Sequence, residues 1–304
     1  MKEETAVRVG YACINLSFKE SFRNYRLKTV ENKEEDKITE VIWHNIRLLK
    51  KIIEYNIAHN IYVYRITSDL VPFCTQPYIE KLYKEKVLNN EEMYGCFTDI
   101  KNMQESYGLR LSIHPSQFNV LSSPKEDVVS RSIQEINAQT EWIRHFNGEN
   151  VVIHVGGSYG DKKQALERFK TNLKYVDQSL ISIENDDKTY NVEEVAALCE
   201  ERKLKWVYDY HHDRCYPSLE KETSQWVKSY PPSKYHLSTG APYCHSRPHA
   251  EYIRPSDYKY FTRFLKECGI KEADVIFEAK KKNKAIFHIL DPCGSGYWKL
   301  TQEE

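Results

Sequence analysis

The chain has 304 residues, 40% hydrophobic and 29% charged, and its 44 basic and 44 acidic side chains cancel to a formal net charge of zero. That length holds one α/β barrel or two smaller domains, and the balance argues against strong nonspecific nucleic-acid binding while leaving room for a nuclease with cations gathered at one cleft. No run of about 18 apolar residues exists, so no membrane span is expected, and the polar Met1–Thr5, followed at once by a strand, does not read as a signal peptide.

Val7–Asn15 reads as the first strand, Phe18–Asn32 as a charged connector, and Ile38–Tyr55 as an amphipathic helix with Asn60 as its C-cap. Strand two is Ile61–Thr67. Helical segments fill Tyr78–Tyr107, and strand three, from Gly108, ends on His114. Ser123-Pro-Lys-Glu126 has the spacing of a capping box opening a helix to about Phe146. Strand four, Asn150–His154, is followed by Gly156-Gly157, which permit a tight turn. Asp161–Asp177 is helical, and strand five, Leu180–Glu184, precedes a second capping box, Asn191 with Glu194. Strand six begins at Lys205 in a stretch that ends in Asp213. A helix over Leu219–Tyr230 stops at Pro231-Pro232, and strand seven begins near Lys234. After the loop Gly240–Pro255, Ser256 caps a helix that Gly269 terminates. Strand eight ends on Glu278, and Ala279–Leu290 is the last helix. Eight strands alternating with helices call for a parallel sheet, and eight such units favour a closed α/β barrel over an open doubly wound sheet. No Gly-x-Gly-x-x-Gly follows the first strand and no phosphate-loop motif is present.

Six of the apolar runs stop on or carry a His, Asp or Glu: His114, His154, Glu184, Asp209, His236 and Glu278. Side chains alternate faces along a strand. His114 shares a face with Arg110 and Ser112, opposite Leu109, Leu111 and Ile113. His154 opposes Val151, Ile153 and Val155, Glu184 opposes Ile181 and Ile183, His236 opposes Tyr235 and Leu237, and Glu278 opposes Val275 and Phe277. If the apolar faces pack on outer helices, every candidate points into the barrel at the C-terminal ends of the strands. A single buried His or Glu is commonly just a satisfied polar group, but the repetition points to a metal cluster. The candidates are imidazoles and carboxylates with no cysteine, a set suited to Mn²⁺, Zn²⁺ or Fe²⁺. With Asp209, one or both of His211 and His212, and loop residues such as His249, the donors exceed the roughly four side chains one ion takes, so two to three ions are implied. Clustered ions suit phosphodiester cleavage. Parity does not decide between His211 and His212. His44, His59, His145 and His288 sit in helical patterns as surface or packing residues. The 8 cysteines lack Cys-x-x-Cys spacing and read as reduced.

The combination of His114-Pro-x-Gln117-Phe118, His154-Val-Gly-Gly, Glu184-Asn-Asp, Asp209-x-x-His212, Lys234-x-His236-Leu-Ser, His249-Ala-x-Tyr252 and Glu278-Ala-Lys resembles the UV damage endonucleases, from about Gly10 to Lys284. The resemblance implies a (β/α)8 TIM barrel related to endonuclease IV, a single domain over residues 1–304, and nicking of DNA 5′ of photoproducts with divalent metals, manganese in particular. It implies the ligands His114, His154, Glu184, Asp209, His212, His236, His249 and Glu278, with Glu184, Glu278 and Lys234 as the catalytic set. Lys234 corresponds to a lysine that can be carboxylated beside the metals, Gln117 and Phe118 to a pair that pushes into the duplex, and Tyr11 and Asn15 to residues near the damaged strand. Asp69 lies in a loop variable in the family. Damaged double-stranded DNA is the implied partner, with the protein a monomer in the cytoplasm, on the nucleoid when bound to DNA. Lys280–Lys282, Lys284, Arg247 and Arg254 would supply cationic surroundings, though such a run is as often a solvated face. The competing expectations are an apurinic-site endonuclease of the endonuclease IV type, a metal-dependent sugar isomerase or epimerase, and a non-catalytic metal-binding protein.

Overall fold

Each apolar run of the sequence becomes a short parallel strand. The computed structural model describes residues 5–219 and 221–290; expectations touching Met1–Glu4, Glu220 and residues 291–304 lie outside them. The strands are β1 (Ala6–Ala12), β2 (Val63–Ile66), β3 (Arg110–Ile113), β4 (Asn150–His154), β5 (Ile181–Glu184), β6 (Lys205–Asp209), β7 (Lys234–Leu237) and β8 (Glu272–Phe277). They pair in sequence order and β8 returns to β1, closing the barrel. Gly10 opposes Val63 in register, and a Cβ at Gly10 would lie 1.8 Å from the Val63 carbonyl oxygen. Only glycine lets the two strands pack there.

The outer ring comprises α1 (Leu27–Glu31), α2 (Glu35–Ala58), α3 (Pro77–Tyr83), α4 (Glu91–Tyr107), α5 (Glu126–His145), α6 (Lys162–Asn172), α7 (Val192–Arg202), α8 (Tyr210–Cys215), α9 (Thr223–Ser229), α10 (Pro255–Cys268) and α11 (Asn283–Leu290). The main hydrophobic core lies between ring and barrel; α2 alone contributes Ile38, Ile42, Ile46, Leu49, Ile52 and Ile53, each at most 1% exposed. Burial of side chains of this size contributes roughly 1.5–3 kcal/mol each. Inside the barrel only Ala12, Val63 and Ile276 form a small separate apolar cluster. Polar residues fill much of the rest, with Ser112, Ser182 and Lys234 fully buried.

The N-terminal end of the barrel is closed by ion pairs. Asp274 accepts from Arg8 Nε at 2.7 Å on one oxygen and from Arg110 Nε at 2.8 Å on the other. Glu149, just before β4, pairs with Arg110 and, at 2.7 Å, with Lys234 Nζ. The Lys234 contact lies off the line of a hydrogen bond.

Several local expectations are corrected. β1 ends at Ala12 because Cys13 turns into the left-handed region at φ +64°. The Phe18–Asn32 connector contains α1. The Ser123–Glu126 capping box does not form: α5 starts at Glu126 behind Lys125, and Ser123 Oγ accepts from the Lys125 N–H in a local turn. Ser256 is not a cap either; Arg254 takes that position with Pro255 at the first helical residue. His59 is the C-cap of α2, and Asn60 follows it in the left-handed conformation at φ +54°. Within the Asp161–Asp177 expectation, Lys162–Asn172 is α6, and a 3₁₀ turn over Leu173–Tyr175 follows. α9 and α11 begin later than the sequence pattern implied. The Asn191–Glu194 capping box and the Gly269 C-cap, at φ +78°, form as expected.

Candidate metal centre

Strand closure brings the sequence candidates together at the C-terminal end of the barrel. His154 and Glu184 are the last residues of neighbouring strands and are in register; Asp209, the last residue of β6, is in register with His236, the penultimate residue of β7. His114 and Glu278 lie one residue past β3 and β8. His249 comes from the β7–α10 loop, where it bridges back to Gly240. Glu184, 1% exposed, is the hub. Its Oε2 lies 3.1 Å from His114 Nε2 and 3.6 Å from His154 Nε2; its Oε1 lies 2.7 Å from His236 Nδ1 and 3.8 Å from His212 Nδ1. Glu278 Oε1 lies 3.4 Å from His236 Nδ1, and Oε2 lies 3.9 Å from His249 Nδ1. Three groups could each hold an ion: His114, His154 and Glu184; Glu184, Asp209 and His212; Glu184, His236 and Glu278.

Hydrogen bonds fix the chemical state of these groups. His114 Nδ1 donates to the Pro115 carbonyl at 2.9 Å, and His154 Nδ1 donates to the Glu184 carbonyl at 3.2 Å. A carbonyl oxygen only accepts, so Nδ1 carries a proton and Nε2 is the ring atom turned toward Glu184. Both Nε2 atoms face Glu184 Oε2, an acceptor. Only a proton or a metal ion reconciles that arrangement. Burial drives His154 down to about 4, so it does not supply the proton near neutrality. His212 and His249 also donate Nδ1–H to carbonyls, of Asn185 at 2.9 Å and Glu278 at 2.7 Å. Two buried atoms are left with no hydrogen-bond partner: Asp209 Oδ2 and His236 Nε2. Orphaned polar atoms of this kind inside a carboxylate cluster fit divalent cations with nitrogen and oxygen ligands.

The electrostatics agree. Burial opposes the charge on His212, yet Asp209, Glu184 and Glu278 outweigh it and push the imidazole up to about 9. Burial, reinforced by Glu184 and Glu278, raises Asp209. Burial also opposes ionisation of Glu184 and Glu278, but the histidines around Glu184, His236 foremost, and Arg65 beside Glu278 hold both well below the usual carboxylate range. The cluster attracts positive charge strongly enough to keep a proton on His212.

The structure separates His211 from His212. β6 ends at Asp209, whose side chain caps α8 by accepting from the His212 N–H at 2.7 Å. The expected strand extension to Asp213 is therefore a helix turn, which points the two histidines differently. His211 is fully buried, its Nε2 donating to the Arg247 carbonyl at 3.3 Å and its Nδ1 accepting from Arg214 at 3.4 Å. With both nitrogens committed, it packs behind the site. Gln117 and Phe118 stand on the loop after β3, and Phe118 is 78% exposed, which excludes a core role. Tyr11 and Asn15 are 0% and 2% exposed, with Asn15 Nδ2 donating to Tyr11 Oη and Tyr11 Oη donating to Asn56. They face the protein, because Tyr11 lies on the outward face of β1 under α2. Lys234 sits one residue pair below His236 with its ammonium on Glu149, not on the carboxylates of the cluster.

Two contributors carried no assigned role in the sequence reading. Arg65, on the inward face of β2, pairs with Glu278 Oε1; a charged residue inside a four-residue strand was the available signal. Asn185 accepts from the Asp209 N–H at 2.9 Å and donates to its carbonyl at 3.0 Å, locking the ends of β5 and β6 together.

Fold and site define a class: a TIM barrel with His, Asp and Glu clustered at the C-terminal ends of its strands. The family model for UV-endonuclease UvdE matches residues 7–302, and the chain belongs to that family. A UV DNA damage endonuclease from Bacillus cereus (strain B4264) is 32% identical over 283 residues, covering 87% of this chain and 85% of the relative. The crystal structure of SacUVDE superposes with a TM-score of 0.79 at 25% identity, over 93% of this chain and 96% of that one. Endonuclease IV from Thermus thermophilus has a TM-score of 0.59 at 16% identity over 91% and 94% of the chains, which establishes shared fold alone. The apurinic-site and sugar-isomerase alternatives gain no support from these likenesses.

Proposed function

We propose that this UV-endonuclease family member is a divalent-metal-dependent DNA repair enzyme that nicks damaged double-stranded DNA 5′ of ultraviolet photoproducts, leaving a 3′-hydroxyl and a 5′-phosphate. The observation that supports the metal dependence is the convergence of His114 Nε2 and His154 Nε2 on one oxygen of the buried Glu184, at 3.1 and 3.6 Å, beside Asp209 Oδ2, which accepts no hydrogen bond. Divalent ions at such a site activate water and stabilise the attacking and leaving oxygens of a phosphodiester. His114, His154, Asp209, His212, His236, His249, Glu184 and Glu278 would hold two to three ions; the thiolate-free donor set suits Mn²⁺, Zn²⁺ or Fe²⁺, and the family resemblance selects Mn²⁺. Glu184 serves all three ligand groups and so sets their spacing; Arg65 orients Glu278. A carboxylated Lys234 would leave Glu149 and add an acceptor. Gln117 and Phe118 read the lesion, since the phosphate backbone looks alike at damaged and intact steps and only weakly stacked bases differ. Cations near the strand ends, Arg247, Arg254 and Lys280 on the loops and Lys284 in the first turn of α11 among them, meet the backbone. The reading takes residues 1–304 as one domain, acting as a monomer on DNA in the cytoplasm. No described helix is long and apolar enough to cross a membrane.

The test is nicking of irradiated and unirradiated plasmid by purified protein with Mn²⁺, before and after chelation. Selective, chelator-sensitive, Mn²⁺-restored nicking is expected. Equal cutting of both plasmids, or activity that survives complete metal removal, would reject the reading.

A further inference from the structure

The turn after β1 inverts the usual placement of side chains. Asn15 is 2% exposed while its neighbours Ile14 and Leu16 are 41% and 37% exposed. Ordinary folding buries the aliphatic residue and hydrates the amide. Here the inversion is held by contacts to three other elements. Cys13 sits at φ +64°, a conformation that non-glycine residues seldom adopt. Its N–H donates to the Arg65 carbonyl at 2.8 Å, and its own carbonyl accepts from Tyr64 Oη, tying the turn to β2. Asn15 is clamped through Tyr11 to Asn56 of α2, and its Oδ1 accepts from the Ser17 N–H at 2.8 Å. The Leu16 N–H donates to Asn283 of α11 at 2.8 Å. A backbone in a costly conformation, braced on three sides, presents an isoleucine at the end of the barrel that carries the candidate metal centre.

We propose that Ile14 is a second wedge that enters the DNA stack at the lesion, with Tyr11 and Asn15 as the positioning residues that hold it. The proposal rests on the endonuclease reading above. Proteins that unstack duplex DNA do so with branched aliphatic or aromatic side chains between base steps. Ile14 follows β1 and Phe118 follows β3, with only β2 between them. Strands lie about 4.8 Å apart, so the two loops leave the barrel wall about 10 Å apart. The two steps flanking a dinucleotide lesion are about 7 Å apart in straight DNA, at roughly 3.4 Å per base, and further apart once opened. The spacing of the two strands is thus of the order of a lesion two nucleotides wide, and the proposal puts one side chain at each flank.

The experiment uses full-length metal-loaded protein and a duplex bearing one cyclobutane dimer, with 2-aminopurine at one flanking step or the other. Ile14→Ser should weaken binding to this duplex roughly tenfold or more and abolish the fluorescence rise at one flank while keeping it at the flank served by Phe118. Metal content, thermal unfolding and affinity for undamaged duplex should match wild type, and Ile14→Leu should retain binding. Asn15→Ala should reproduce the one-sided loss of fluorescence, which a general packing defect would not. Wild-type affinity for the dimer duplex with Ile14→Ser, or an equal loss on damaged and undamaged DNA, overturns the wedge while leaving the endonuclease reading standing. If wild-type protein itself shows no preference for the dimer, the endonuclease reading fails and the wedge with it.

Discussion

At the N-terminal end of the barrel, Asp274 and Glu149 meet a cation on every carboxylate oxygen, supplied by Arg8, Arg110 and Lys234. At the C-terminal end, Glu184 meets histidine nitrogens, and Asp209 Oδ2 accepts no hydrogen bond. The residue types overlap, and both clusters are largely buried. What differs is which charges the strands deliver. Arginine and lysine neutralise the lower carboxylates permanently, so that end closes the barrel. Histidine neutralises the upper ones only while protonated, so that end stays available to metal ions. Arg65 is the exception that marks the boundary, a permanent cation that holds Glu278 within the upper cluster.

The largest effect expected from breaking this contrast is at the hub. Glu184→Gln should cut nicking roughly a thousandfold, about 4 kcal/mol of transition-state stabilisation, and reduce bound metal; metal-free protein should also lose stability, because the histidines that hold the Glu184 carboxyl low lose their counter-charge. Elemental analysis and chelator-treated melts check this; full metal content with near-full activity would refute the hub assignment. At the other end, Asp274→Ala strands Arg8 and Arg110. It should cost roughly 2–4 kcal/mol of stability with unchanged metal stoichiometry and unchanged activity per folded molecule, measured by denaturant unfolding and active-site titration. A loss of metal here would show that the two ends are not independent.

Phe118→Ala probes recognition without touching either cluster. Because the ring is 78% exposed, unfolding should move by no more than about 0.5 kcal/mol. Activity on intact photoproduct duplex should fall about tenfold to a hundredfold, and much less where the opposite strand is gapped. Equal losses on both substrates would assign Phe118 some other role.

The smallest effect is a pH dependence confined to the upper end. His212 titrates near 9 in the absence of metal, above the ordinary histidine value of 6.5. Its contribution to stability is therefore complete below pH 6.5 and is lost as pH rises through 9. Metal-free protein should lose stability over that window, by at most about 1.4 kcal/mol per pH unit, whereas metal-loaded protein should show a flatter profile because the ion replaces the proton. Melting temperatures between pH 6 and 10 test it, and His212→Gln should remove the metal-free slope. An equal slope in both forms would place the titration elsewhere.

Alternation along short strands was enough to determine that His114, His154, Glu184, Asp209, His236 and Glu278 share the inward face near strand ends, because side-chain direction in a strand is a local property. The repeated βα pattern determined the closed parallel barrel for the same reason, and the ordered motifs carried the family. Local signals failed where alternatives were close in energy, as at Ser123 and Ser256, whose hydroxyl-to-backbone options compete with helix capping. Only the tertiary structure decided what depends on distant partners. It placed Glu184 in all three candidate ligand groups, put His212 in one of them and His211 behind the site by starting α8 at Tyr210, and brought Arg65 to Glu278 across the barrel. It also turned Tyr11 and Asn15 inward and left Ile14 in solvent. These outcomes rest on contacts between elements far apart in the chain, which residue order alone does not encode until the barrel closes.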